Sequence, residues 1–314
     1  MKNKTIDRRN FIKGGLGGTA ATVLSLKNAK AAGDFDHYPD SMGVLVDVNR
    51  CVGCRSCEAA CNKEQGLPEP EKAFNDYSVF EEGHGDGVHG GVGRRTDETR
   101  YTVVNKYEVP EIDHPLYRKS QCNHCLEPAC LTSCFVNAYT KTPEGAVIYN
   151  SDVCVGCRTC MIACPFHVPA FKYSSAFSPR IMKCIFCYDT RLKEGRPPAC
   201  VEACPQEALT FGKRIDLLRI GRKRIRNNPS KYVNHIYGEK EAGGTAWLYL
   251  SPVEFDEVGF NVHIPHEPVI NFVRDFLSIV PMVLVIWPAL FAGFHLLANR
   301  KEAKNNLEDI DRGV

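Results

Sequence analysis

Apolar residues fall into short runs along this 314-residue chain, with one long exception near its C-terminal end. Residues 276–298 carry no formally charged side chain over 23 positions. At about 1.5 Å rise per helical residue this run reaches roughly 34 Å, enough to cross a bilayer's hydrocarbon core. Pro281 and Pro288 would break a soluble helix but are tolerated in a membrane-spanning one. Arg300, Lys301 and Lys304 follow directly, so the positive-inside rule puts the tail in the cytoplasm and everything before the span outside. His295 lies near the cytoplasmic end of the span, where snorkelling or a hydrogen bond to a partner helix suits it.

The remaining pattern is finer. Residues 44–48 and 146–149 are short β-rich runs, and residues 101–109 alternate as a half-buried strand does. Residues 213–226 hold seven basic side chains and one acid, with Leu217, Leu218, Ile220 and Ile225 interleaved. That spacing predicts an amphipathic helix with a solvated basic face, a surface that also suits anionic lipid headgroups or an acidic partner. The glycine-rich stretch 83–93, with His84 and His89, reads as a surface loop.

The N-terminal end is of another kind. Arg8 and Arg9 precede a weak, glycine-rich apolar run at 14–26 and then Ala29-Lys30-Ala31. A twin arginine, a mild apolar segment and a small-x-small site make a Tat signal over residues 1–32. Tat export delivers the chain outside, which agrees with the orientation read from the other end.

Charge changes the picture mainly by exclusion. Thirty-nine basic against 37 acidic residues leave a net charge of +2, which excludes a general electrostatic binder of nucleic acid. The sixteen cysteines carry the chemistry, and all lie between Cys51 and Cys204. They form four groups. The first is Cys51, Cys54, Cys57, Cys61; the second is Cys122, Cys125, Cys130, Cys134. The third is Cys154, Cys157, Cys160, Cys164, followed by Pro165; the fourth is Cys184, Cys187, Cys200, Cys204, followed by Pro205.

Disulfides would suit an exported chain with an even cysteine count, but C-x2-C-x2-C triplets place thiols around one shared centre. Zinc sites use pairs of C-x2-C across a longer spacer, which only the fourth group approaches. The x2, x2, x3-then-Pro run of the third group is the bacterial ferredoxin pattern for a [4Fe–4S] cluster. Sixteen ligands at four per cluster make four [4Fe–4S] clusters with none left over. Tat transport fits, because it carries folded proteins whose clusters were inserted in the reducing cytoplasm. The chain also repeats itself: CVGCRSCEAAC at 51–61 and CVGCRTCMIAC at 154–164 agree at eight of eleven positions. Groups two and four share a closing Pro-Ala-Cys-x3-Cys. Two ferredoxin-like modules in tandem follow, with cross-ligation between groups; spacing alone does not say which groups exchange their fourth cysteine. His124 and His167 stand beside the cysteines as groups that tune a cluster.

On these motifs, with 121–134 (QCNHCLEPACLTSC), 165–171 (PFHVPAF) and 236–250 (IYGEKEAGGTAWLYL), the chain resembles a known family. It is similar to the four-cluster iron–sulfur electron-transfer subunits of bacterial respiratory membrane complexes. The likeness is strongest to the HybA type of hydrogenase-2 and to the type found in the high-molecular-weight cytochrome (Hmc) complex. The subunits of formate dehydrogenase, polysulfide reductase and other molybdopterin oxidoreductases form the alternative.

The resemblance implies the wiring. Cys51, Cys54, Cys57 and Cys204 would hold one cluster, and Cys184, Cys187, Cys200 and Cys61 its neighbour. Cys122, Cys125, Cys130 and Cys164 would hold a third, and Cys154, Cys157, Cys160 and Cys134 a fourth. It also implies an α+β fold of two interleaved ferredoxin-like (dicluster) modules with one C-terminal transmembrane helix. The implied divisions are 1–32 signal, 33–210 four-cluster domain with 62–121 inserted, and 211–267 as an extension of the periplasmic domain. Residues 268–299 are then the membrane helix and 300–314 the cytoplasmic tail. The expected role is electron transfer, not catalysis. Electrons would pass between a periplasmic multihaem cytochrome c, hydrogenase or dehydrogenase and an integral membrane quinone-reactive subunit. No glycine-rich nucleotide loop follows a strand to suggest an activity of the chain's own.

Overall fold

The computed structural model describes residues 41–81, 93–174 and 180–311, without the side chains of 273–278 and 300–311. The signal at 1–32 and nearly all of the 83–93 loop lie outside the described residues.

Strand β1 (Met42–Asp47) is covered on both faces, and its alternation divides the interior. Val44 and Val46 point into one apolar cluster with Phe186, Cys200 and Leu209, whereas Leu45 joins a second with Leu217, Leu218 and Ile225. Helix α1 (Ser56–Gln65) follows, then the antiparallel hairpin of β2 (Thr102–Tyr107) and β3 (Leu116–Gln121). The short helix α2 (Ala129–Thr132) leads to the antiparallel pair β4 (Tyr139–Lys141) and β5 (Val147–Tyr149). Next come α3 (Thr159–Ala163), the two-residue strands β6 (Ala170–Phe171) and β7 (Ile181–Met182), and α4 (Ala199–Glu202). Strand β8 (Leu209–Lys213), helix α5 (Arg214–Asn227), strand β9 (Trp247–Leu250) and the long helix α6 (Val269–Asp311) complete the chain.

The main sheet has the order β8-β1-β9, antiparallel to β8 and parallel to β9. The strand ahead of the first cysteine group therefore pairs with the strand after the fourth. The strand after the second group likewise pairs with the one ahead of the third. The short helices follow suit: α1 packs on α4, and α2 packs on α3. Residues 211–267 are not peripheral to this arrangement. They supply β9, and Trp247, Tyr249, Tyr237, Phe255 and Phe260 fill the larger cluster. Helix α5 covers the opposite face of the sheet with Leu217, Leu218 and Ile225.

Residues 62–121 are fastened by one carboxylate. Glu58 on α1 accepts from Arg55 at 3.0 and 3.1 Å, from Arg94 at 2.5 and 3.2 Å, and from the Val104 amide at 2.6 Å. All three charged side chains are buried. Buried charge is tolerable only when paired and hydrogen-bonded in this way.

Helix α6 runs unbroken through Pro281 and Pro288, and within it Ile279–Asn299 is long and apolar enough to cross a membrane. Its root is clamped. Ala242 N donates to Pro265 O at 2.8 Å and Gly243 N to His266 O at 3.1 Å. A side chain at Gly243, whose φ is +81°, would meet Pro268 at 2.6 Å, so glycine is required there. The other end of that clamp is α2, which packs against α6.

Candidate metal centres

The repeated sequence is repeated in the backbone. In groups one and three, Gly53 and Gly156 take φ of 69° and 70°, and Arg55 and Arg158 take 58° and 63°. These left-handed residues curl the C-x2-C-x2-C segment into a tight loop and open α1 and α3. Gly53 also leaves room for the Tyr117 ring, 2.4 Å from where a Cβ would stand. In groups two and four the left-handed positions are His124 at 46°, and Phe186 and Cys187 at 63° and 49°. Pro128 and Pro198 then start α2 and α4, which carry Cys130 and Cys200.

These loops bring thiols from distant groups together. Cys51, Cys54 and Cys57 line one apolar hollow with Cys204. Cys122, Cys125 and Cys130 line another with Cys164. Cys61 lies in electrostatic reach of Cys184, Cys187 and Cys200, and Cys160 of Cys134, Cys154 and Cys157. Among the described residues no three Cys, His or acidic side chains converge closely enough to hold a single ion. In each of the two hollows four cysteines, three from one group and one from another, line a single apolar space.

Their surroundings fit a polynuclear cluster. Backbone amides donate to sulfur at Cys134 (from Ala138, 3.3 Å), Cys154 (from Gly156, 3.4 Å) and Cys184 (from Phe186, 3.4 Å). Such bonds stabilise negative charge on the sulfurs and help set cluster potential. Burial pushes the Cys51, Cys164 and Cys187 thiols up to about 11 and Cys184 to about 12. Burial thus disfavours a bare thiolate at these cysteines, and a bound cation would be needed to keep their sulfurs deprotonated. Cys157 differs: it is exposed, and the Thr159 hydroxyl and amide lower its pKa.

Three buried lysines stand among the thiols, and the sequence reading had not singled them out. Lys183 lines the hollow of Cys122 and Cys164, donating to Val147 O at 2.5 Å and Cys184 O at 3.0 Å. Lys141 donates to His124 O and Gly145 O at 3.0 and 2.7 Å, and burial pushes it down to about 7. Lys119 lines the hollow of Cys51 and Cys204. Burial by itself would lower Lys119, but the thiols of Cys200, Cys57 and Cys184 outweigh it and hold its pKa high. Only the strand alternation that turns Lys119 and Gln121 to one face hinted at its place. His167 lies beside the second hollow at a left-handed φ of 50°, its carbonyl accepting from Arg95 at 2.6 Å.

A family model described as a 4Fe-4S dicluster domain matches residues 114–214. The hydrogenase-2 operon protein HybA of Escherichia coli O157:H7 is 34% identical over 81% of this chain and 83% of its own length. The chain belongs to the 4Fe–4S dicluster iron–sulfur subunits. Its cofactors are accordingly [4Fe–4S] clusters. The iron–sulfur subunit of nitrate-inducible formate dehydrogenase from Escherichia coli K12 is 29% identical over 87% of this chain and 90% of its own. A protein of Nitratidesulfovibrio vulgaris Hildenborough is 51% identical over 98% of this chain and 82% of its own. A model of the twin-arginine translocation signal matches residues 5–25, so this iron–sulfur subunit is exported, with α6 as a candidate membrane anchor.

Proposed function

We propose that this subunit relays single electrons through four [4Fe–4S] clusters, between a periplasmic redox partner and an integral membrane quinone-reactive subunit. The observation that carries this is the pair of hollows in which three cysteines of one group meet the last cysteine of another. The ligand sets are Cys51, Cys54, Cys57 with Cys204; Cys184, Cys187, Cys200 with Cys61; Cys122, Cys125, Cys130 with Cys164; and Cys154, Cys157, Cys160 with Cys134. Groups one and four thus form one dicluster module and groups two and three the other, interleaved along the chain. The β1–β8 and β4–β5 pairings support this reading.

A cluster with cysteine at every iron has no open position for substrate, so the subunit conducts and a partner catalyses. When bound, the clusters supply one-electron carriers whose potentials follow from nearby charge, hydrogen bonds and exposure. The chain's own residues fix where those carriers sit and line each hollow with apolar side chains. The packing of α2 against α6 supports the module of groups two and three as the one nearer the membrane. Around its last ligand set Cys157, Phe135, Val155 and Ile162 are exposed, an apolar doorway beside a cluster.

The test is anaerobic purification from membranes in mild detergent. A brown protein bleached by dithionite, accompanied by a multihaem cytochrome c or a nickel–iron hydrogenase and a polytopic subunit, supports the reading. A molybdopterin subunit would change the periplasmic partner, and a colourless zinc protein would overturn the relay.

A further inference from the structure

Lys119 is 2% exposed on β3, and among the described residues no carboxylate pairs with it. An isolated ammonium in such a place is strongly disfavoured unless other groups stabilise it. Two neutral groups hold it. Its Nζ donates to Gln121 Oε1 at 2.8 Å and lies 4.5 Å from the centre of the Trp247 ring. The amide is locked in that sense. Gln121 Nε2 donates to the Tyr249 hydroxyl at 2.6 Å, and that hydroxyl donates in turn to Asn123 Oδ1 at 3.3 Å. A flip would set donor against donor, so the Gln121 carbonyl must face the lysine.

The anionic groups around this fixed charge come from both sides. Lys119 lines the hollow of Cys51, Cys54, Cys57 and Cys204, one ligand set, and Cys200, Cys184 and Cys61 of the neighbouring set lie in electrostatic reach. A cubane held by four thiolates gains one negative charge on reduction. A fixed cation in a low-dielectric interior stabilises that reduced state more than the oxidised one.

We propose that Lys119 is a shared countercharge for the two clusters held by the first and fourth cysteine groups, and that it raises both of their reduction potentials. The inference rests on the ligand sets given above. Lys183 stands among Cys130 and Cys164 in the other module and serves as the internal comparison.

The experiment is an anaerobic redox titration of the full-length protein in detergent, followed by EPR, with iron counted in each sample. Lys119→Met should keep its iron while two cluster midpoints shift negative and the rest hold still; Lys119→Arg should restore them. Lys183→Met should move a signal outside that pair. Unmoved midpoints in an iron-replete Lys119→Met protein would overturn the countercharge, as would an equal shift of every signal. Should Lys119→Met lose iron, Lys119→Gln takes its place under the same two criteria. Cys57→Ser and Cys184→Ser mark the two signals independently. If Lys119→Met shifts two signals other than those, the ligand sets fail while the countercharge stands.

Discussion

The His124 imidazole lies flat against the Phe186 ring, with centroids 4.8 Å apart and planes 16° from parallel. Each residue sits inside a C-x2-C loop, one in group two and one in group four, and each takes a left-handed φ. The stack therefore joins the two halves of the cluster-binding core. His124 Nδ1 also accepts from the Val147 amide at 2.9 Å, so its ring proton sits on Nε2. Burial holds the imidazole neutral. His124→Leu should cost about 1–3 kcal/mol for the orphaned Val147 amide alone. A guanidinium titration followed by loss of cluster absorbance, run anaerobically, measures this; an unmoved midpoint would contradict it.

Glu58 is the counter-ion of two buried arginines. Glu58→Ala should destabilise the protein by about 3–5 kcal/mol, because Arg55 and Arg94 would remain buried without a counter-ion. Limited proteolysis should then cut first within residues 62–121. A variant as resistant as the parent would show that other contacts hold this segment.

Much of this was legible before any coordinates. The strand over 101–109 appears as Thr102–Tyr107, the amphipathic helix over 213–226 as Arg214–Asn227, and the apolar run at 276–298 inside α6. These elements carry strong local periodicity, which survives packing. Cysteine spacing likewise encodes the tight loops that carry the cysteines, since a tight loop depends on residues close in sequence. What spacing could not encode is partnership across long separations. The meeting of Cys204 with Cys51 depends on β8 lying beside β1, a tertiary register. The buried lysines were hidden because a lysine in a strand, or just after one as Lys183 is, normally reads as solvated. Residues 236–250 carry no motif chemistry of their own, yet they build an edge of the main sheet and the floor beneath Lys119.

His235 and Glu241 form a pH-dependent latch at the clamp beneath α6, 2.7 Å apart. The bond to Glu241 raises the imidazole. Burial would raise the Glu241 carboxyl, but the bonds from His235 and from loop amides outweigh it and hold it low. The raised histidine contributes fully below about pH 6.5, its unfolded value, and loses that contribution as pH climbs through its folded value. The lowered carboxyl contributes above about pH 4.3 and loses it as pH falls through its own folded value. Parent and His235→Asn proteins should thus differ most in stability between about pH 4.5 and 6.5 and converge toward pH 9. Melting curves across that range decide it, and a difference that grew with alkalinity would reverse the assignment.

Cys157 is exposed, so a serine there leaves packing intact. Cys157→Ser should fold and be exported while one cluster is lost or converted, lowering iron by about a quarter at most. Cys57→Ser, in a buried hollow, should lower stability as well as iron. Iron content unchanged in Cys157→Ser would remove that residue from the ligand set.

The central claim is that all sixteen cysteines serve [4Fe–4S] clusters, and counting the metal tests it most directly. Iron and acid-labile sulfide would be measured on the full-length protein purified anaerobically, with Mössbauer spectra to fix the cluster type. Four cubanes predict one iron and one sulfide for each of the sixteen cysteines, all of the [4Fe–4S] type. Half that iron, or zinc in its place, would contradict the account.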